Sequence, residues 1–214
     1  MTTDCLLAKW THNESERYCD QIIPDGCQDV ILTLQQGVAT KCVVSPLSRA
    51  SESVDIPART CLKGFRLQPG TLVDEQALQA LLIHAKDELV SNADWLDEVT
   101  HRSAEVEEAL EYLGSGIPTV AECARHIGVS VRTLQRQVTQ CTGEAPVFWL
   151  SLARARRTCR SLGQFEKLSD AACYFGYSDQ AHMSREIRRW FGMTPTETLG
   201  NMSLHRQLAE SGYC

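Results

Sequence analysis

The sequence predicts a two-part chain: an α+β N-terminal region followed by an all-α C-terminal region that holds two helix-turn-helix units. Three observations predict it. The C-terminal half repeats itself, with Ala124, Gly128, Ser130, Leu134, Arg136, Val138, Gly143 and Pro146 recurring as Ala172, Gly176, Ser178, Met183, Arg185, Ile187, Gly192 and Pro195. The offset is 48 residues up to the serine and 49 beyond it. Before residue 74, short β-like runs alternate with turn signals; after it, apolar residues recur at helical spacing. The charge is also divided: residues 1–113 carry 9 basic and 19 acidic side chains, residues 114–214 carry 12 and 8.

In the N-terminal region, Gln28–Leu34, Thr40–Val44 and Thr60–Leu67 read as strands. Pro24-Asp25-Gly26 and Gln36-Gly37 mark turns between them. From Asp74 onward, Leu78, Leu81, Leu82, Ala85 and Leu89 trace one helical stripe, which either covers the sheet or forms a dimer helix. Asp25 and Asp29 could contact a ligand, but turn-forming aspartates explain them better. Arg66 is the candidate pocket charge.

The first repeat opens at Thr119 with Glu122 three residues on, a capping box in which hydroxyl and carboxylate each satisfy an unpaired backbone amide. Val120, Ala121, Ala124 and Ile127 supply its apolar face. Gly128 provides the positive φ that ends the helix sharply. Ser130 is expected to cap the next helix, with Val131, Leu134 and Val138 inward and Arg132, Gln135 and Arg136 outward. The second repeat is read the same way: Ser169 and Ser178 as caps, Gly176 as the stop, and Met183, Ile187 and Trp190 inward. Gln180, His182, Arg185, Arg188 and Arg189 are then left outside. Between the units, Val147 to about Leu162 reads as one helix, roughly 22 Å long, with Arg154, Arg156, Arg157 and Arg160 among its apolar residues.

Two such units on a rigid spacer suit a DNA duplex. Arginine can donate twice to guanine N7 and O6, and glutamine can read adenine N7 and N6. Caps, turn amides and the remaining arginines would meet phosphates, which set register without carrying sequence information. Successive major grooves on one face lie about 34 Å apart. Inserting both helices could require a bend costing ~1–6 kcal/mol.

Composition and motifs exclude other classes. Met1-Thr2-Thr3-Asp4 lacks a basic flank before an apolar core, so no signal peptide is read, and no run of about 18 apolar residues exists. A cytoplasmic location is expected. The ten cysteines form no Cys-x-x-Cys pair, which argues against a zinc finger. His12, His84 and His101 make no His-x-His pair, so neither metal nor cofactor is expected. No GxSxG, HExxH, P-loop or glycine fingerprint suggests an enzyme. A thiol-based redox regulator is the alternative. In that reading Cys27 and Cys214 are the exposed candidates, whereas Cys123, Cys159 and Cys173 are buried by helix packing.

The phrases VAECARHIGVSVRTLQRQVTQCTGEAP, LARARRTCRSL and LSDAACYFGYSDQAHMSREIRRWFGMTP resemble the DNA-binding domain of the AraC/XylS family of transcription regulators. The resemblance covers about residues 100–200 and implies seven helices, Ser103 to Leu113 being the first. It places Arg132, Gln135 and Arg136 at base-reading positions of one recognition helix, and Gln180, His182 and Arg185 at those of the other; Arg188 joins them as a DNA contact. Met183 stands where the family usually has Phe. IIPDGCQDVIL, VVSPLSRA and KGFRLQPG resemble, less closely, a short cupin-like domain found on some such regulators, though the sheet segment is short for a complete barrel. The implied organisation is a regulatory and dimerisation domain at 1–97, a DNA-binding domain at 98–200 and a tail at 201–214. The implied partners are promoter DNA, a small-molecule effector, a second copy of the chain and, for an activator, RNA polymerase. Relatives more often activate than repress.

Overall fold

A computed structural model of the chain describes residues 5–116 and 119–214; the Met1–Asp4 segment read above lies outside them. The N-terminal region is built on an antiparallel four-stranded sheet. Its strands, Leu6–Asn13 (β1), Asp29–Gln35 (β3), Val38–Val44 (β4) and Cys61–Leu67 (β6), run in the order β1-β6-β3-β4. Tyr18–Ile22 (β2) and Glu52–Ile56 (β5) make a separate two-stranded ribbon. The hydrogen bonding leaves the sheet open, with β1 and β4 at its edges.

One face of this sheet is apolar because side chains alternate along a strand. Val30, Leu32, Phe65 and Leu67 point inward and are fully buried. Beyond Leu72–Val73 (β7), three short helices cover that face: Glu75–His84 (α1), Lys86–Ser91 (α2) and Leu96–Val99 (α3). Asp74 caps α1 by accepting from the amides of Gln76 and Ala77. Leu78 and Leu89 are buried on the sheet, and Trp95 meets Phe65 edge-on at 5.1 Å. The Leu78–Leu89 stripe therefore covers the sheet, and it bends at Ala85 between two helices. Thr100–His101 (β8) pairs with β7 and closes this region.

Strands β1, β2 and β5 have no counterpart in the sequence expectations. Each is largely solvated, and polar residues such as Lys9, Asn13, Asp20 and Asp55 break the apolar alternation that would announce it.

The helical region runs Ala104–Gly114 (α4), Val120–Ile127 (α5), Val131–Thr142 (α6), Pro146–Ser161 (α7), a 3-10 turn at Leu162–Gln164, Leu168–Tyr174 (α8), Gln180–Phe191 (α9), Pro195–Gly200 (α10) and Met202–Ala209 (α11). Seven helices thus lie between 104 and 200, and α11 follows them. The last stretch is no loose tail: Leu204, Leu208 and Tyr213 are buried in the helical core. The Tyr213 hydroxyl donates to the Leu110 carbonyl at 2.9 Å.

Helix α7 is the centre of this region. Phe148, Trp149, Leu152, Ala153 and Ala155 are buried along it. Phe148 packs edge-on against Trp190 at 5.3 Å, and Trp149 against Tyr213 at 4.9 Å. A large side chain buried this fully contributes about 1.5–3 kcal/mol relative to exposure.

The arginines of α7 bond to carbonyls of neighbouring segments. Arg156 is fully buried and donates to the Pro24 carbonyl at 2.9 Å. Arg160 donates to the carbonyls of Leu208 and Cys214, Arg157 to that of Gly114, and Arg154 to that of Gly176. Carbonyls at the ends of neighbouring segments need donors, and a long guanidinium reaches several at once. These four side chains tie α7 to the segments around it.

Candidate nucleic-acid interface

Both repeats use one turn geometry. In the first, Gly128 takes φ 79° and the Val129 amide donates to the Ala124 carbonyl at 2.9 Å. In the second, Gly176 takes φ 71° and the Tyr177 amide donates to the Ala172 carbonyl at 2.9 Å. A Cβ would strain either glycine in this left-handed conformation. Ala124 and Ala172 are small and buried at the helix crossing.

The repeats diverge at the caps. Thr119 and Glu122 form the expected capping box on α5. Helix α8 instead starts after Lys167 with no side-chain cap, and Ser169 bonds only its neighbour Asp170. Ser130 caps α6 by accepting from the Thr133 amide at 3.1 Å. Its counterpart on α9 is Asp179, not Ser178: the carboxylate accepts from the His182 amide at 2.6 Å. That bond holds the Asp179 carboxyl below its usual value. Residue 130 plus 49 is 179, so the added residue sits in the turn, before the cap. From there α6 and α9 match in length at 12 residues and end at Gly143 and Gly192, at φ 72° and 73°.

The inward faces also match. Leu134 and Val138 are buried under α6, and Met183, Ile187 and Trp190 under α9. Val131 and Ala121 were expected inside, but Val131 is 39% exposed and Ala121 is exposed too. Both lie in a first helical turn, and Val131 precedes the inward Leu134 by almost a full turn. On α5 the buried position beside Ala124 is Cys123.

On α6, Arg132, Gln135 and Arg136 are exposed, and with Thr133, Thr139 and Gln140 they line an open depression. On α9, Gln180, Arg185 and Arg188 are exposed. Arg132, Arg136, Arg185 and Arg188 form no hydrogen bond or ion pair among the described residues. His182 differs. It is half-buried, its Nδ1 lies 3.1 Å from Ser178 Oγ, and its ring meets Tyr177 edge-on at 5.4 Å. Arg189 is also engaged, pairing with Glu186 at 3.4 Å and lying over the Trp190 ring. Thr139 and Gln140 went unlisted in the sequence reading, although the 49-residue offset maps Thr139 onto Arg188.

Arg66 is no pocket charge. It lies 3.2 Å from Asp25 and 3.4 Å from Asp29, and it donates to the Ser211 carbonyl at 3.4 Å. Burial works to lower its pKa, but the two carboxylates outweigh that and raise it. Asp25 and Asp29 are thereby committed to this cluster, while burial pushes the Asp25 carboxyl up.

The thiol candidates are corrected too. Cys27 is buried, and burial pushes its thiol well above the usual range; Cys214 is half-buried and pushed up for the same reason. Cys173, expected inside, is exposed because α8 turns that side to solvent. Among the described residues, no three His, Cys, Asp or Glu side chains are grouped to hold a metal ion. No helix there is long and apolar enough to cross a membrane.

Comparison with known proteins agrees with this geometry. Residues 123–201 match the family described as a helix-turn-helix domain. The chain is 27% identical over 156 residues to the HTH-type transcriptional activator RhaS of Escherichia coli, covering 72% of this chain and 51% of that protein. Against RhaS of Klebsiella pneumoniae it is 30% identical over 115 residues, covering 51% and 41%. The chain thus spans about half the length of the curated relatives it matches. A transcriptional regulator structure from Chromobacterium violaceum, described as AraC-type, aligns with 50% of this chain and 95% of its own at 27% identity, with a TM-score of 0.41. Residues 123–201 thus form a helix-turn-helix domain, and the C-terminal half is similar to AraC-type transcription regulators.

Proposed function

We propose that the chain is a sequence-specific DNA-binding transcription regulator that presents α6 and α9 to successive major grooves of a promoter. The observation that carries this is the pair of matched 12-residue helices, each with exposed arginines (Arg132 and Arg136, Arg185 and Arg188) that form no hydrogen bond or ion pair among the described residues. Arg132, Gln135 and Arg136 read one block of bases, and Gln180, Arg185 and Arg188 contact the other. His182 acts within this set by ordering the turn before α9. Residues 1–97 form the regulatory and dimerisation unit, answering to a small-molecule effector, and residues 98–200 form the DNA-binding unit. Activation, with RNA polymerase as partner, is the expected sign, since the RhaS relatives are transcriptional activators. No catalytic role is proposed.

Selection of sites from a random DNA pool by the purified chain, with Arg185→Ala as control, tests this. The expected result is a motif of two blocks about one helical turn apart, with one block lost in the variant. No enrichment at moderate salt, with or without candidate effectors, would refute it.

A further inference from the structure

The N-terminal region touches the helical region at several places, and two of them are the far ends of the recognition helices. Arg49 Nε donates to Glu144 Oε1 at 2.6 Å, just beyond the Gly143 stop of α6. Two residues on, the Ser51 amide donates to the Trp190 carbonyl at 2.9 Å, in the last turn of α9. Leu47, from the same segment, packs against the helical core. Nearby, Ile23 is buried in that core, and its amide donates to Gln207 Oε1 at 3.1 Å. Another contact is the Pro24–Gly26 turn, which engages Arg156 of α7 and accepts from the Tyr213 amide through the Asp25 carbonyl at 2.7 Å. A side chain at Gly26, at φ 74°, would run into Tyr213 and Trp149.

Besides those to α11 and the residues after it, these contacts fall on the end of α6, the end of α9 and the helix that spaces them. The two motifs pack on α7, so the mutual placement of α6 and α9 depends on α7 and on whatever else bridges them. The Leu47–Ser51 segment is such a bridge. It lies at the C-terminal ends of both helices, whereas Arg132 and Gln180 stand in their first turns, and Arg188, in the last turn of α9, stays exposed.

We infer that the Leu47–Ser51 segment is a positioning strap that sets the distance and angle between the two recognition helices, and so sets which separation of the two DNA blocks the protein accepts. This rests on the proposed DNA-binding function. It makes a distinct claim, that Leu47 and Arg49 govern spacing while the side chains of α6 and α9 govern base identity.

The experiment uses the full chain and a set of duplexes carrying the two selected blocks with zero, one or two base pairs added or removed between them. Each added pair moves one block about 3.4 Å along the axis. Affinities are measured for the unaltered chain, Leu47→Asp, Arg49→Glu, Glu144→Arg and the Arg49→Glu/Glu144→Arg double variant. Base preference within each block is measured in parallel. The strap predicts that Leu47→Asp and Arg49→Glu reduce discrimination between correct and altered spacing by about fivefold, with base preference unchanged. The charge-swapped double variant recovers part of that discrimination. Arg49 is a surface side chain, so its variants fold even if Leu47→Asp does not. An unchanged spacing profile in the Arg49→Glu chain, or a uniform loss of affinity without rescue, overturns the strap. Absence of any selected DNA with the unaltered chain overturns the underlying function instead.

Discussion

The two helix-turn-helix units share a skeleton and differ at the surface, and the division between the two is sharp. Positions that touch the core are repeated almost residue for residue: Ala124 and Ala172 at the crossing, Leu134 and Met183, Val138 and Ile187 beneath the recognition helix. Outward-facing positions, apart from Arg136 and Arg185, have diverged. Arg132 faces Ala181 in the alignment, Gln135 faces Ser184, and Thr139 faces Arg188. Packing requires the same volumes in the same places twice, whereas two blocks of DNA require different donors. The caps diverge as well: a neutral Ser130 heads α6 and an anionic Asp179 heads α9. The first unit presents three long polar side chains from an uncharged start, and the second presents arginines beside a carboxylate.

The comparison can be broken most directly in the core. Leu134→Ala and Met183→Ala should each destabilise the chain by about 2–5 kcal/mol, and by similar amounts if the skeletons are equivalent. Denaturant unfolding followed by tryptophan fluorescence measures both. A cost confined to one of them would mean that the repeat is formal only.

At the surface, Arg136→Ala and Arg185→Ala should each weaken specific binding by ~1–3 kcal/mol if they read bases, or act uniformly across sequences and lower the salt slope by about 1 if they contact phosphate. Fluorescence anisotropy over a salt series separates these outcomes for each unit.

The caps sharpen the contrast further. Thr119→Ala should cost about 1 kcal/mol, while Ser169→Ala, at the matching end of α8, should leave the melting temperature unchanged. The capping box is pH-dependent. The Thr119 side-chain hydroxyl, and next its amide, hold Glu122 below its unfolded pKa. Its stabilisation is therefore complete above about pH 4.3 and lost as pH falls through the lower folded value. Thr119→Ala should flatten that part of the stability profile.

The smallest expected effect lies at Asp179. Asp179→Ser keeps a capping oxygen and removes an anion from the end of α9 that the proposed function turns toward DNA. Nonspecific DNA binding should tighten by about twofold at low salt, with the helical signal in circular dichroism unchanged.

The tandem units, the α7 spacer, the helix opening at Asp74 and three of the strands were legible in the sequence. Each is announced locally, by a cap, a glycine stop or a run of apolar residues at a fixed period. The solvated strands β1, β2 and β5 carry no such signal, because their stability comes from pairing with distant partners. Ser178 was misread as a cap because offset alone cannot tell which of two adjacent polar residues, Ser178 or Asp179, takes the extended backbone conformation that a cap needs. His182 was grouped with the reading residues by position, yet its ring is drawn back to Ser178 and Tyr177.

By itself, the sequence determined where α5 and α6 begin, which glycines stop the helices and most of each apolar side, since these follow from contacts within four residues along the chain. Tertiary structure alone decided what the charged residues do. Arg132 and Arg154 are the same residue type on adjacent helices, but one is left in solvent while the other donates to the Gly176 carbonyl beside the Tyr177 ring. Arg66 looked like a pocket charge until Asp25, Asp29 and Ser211 were brought around it. A guanidinium can reach partners from anywhere in the sequence, so its role is set by which chain segments the fold gathers within a few ångströms.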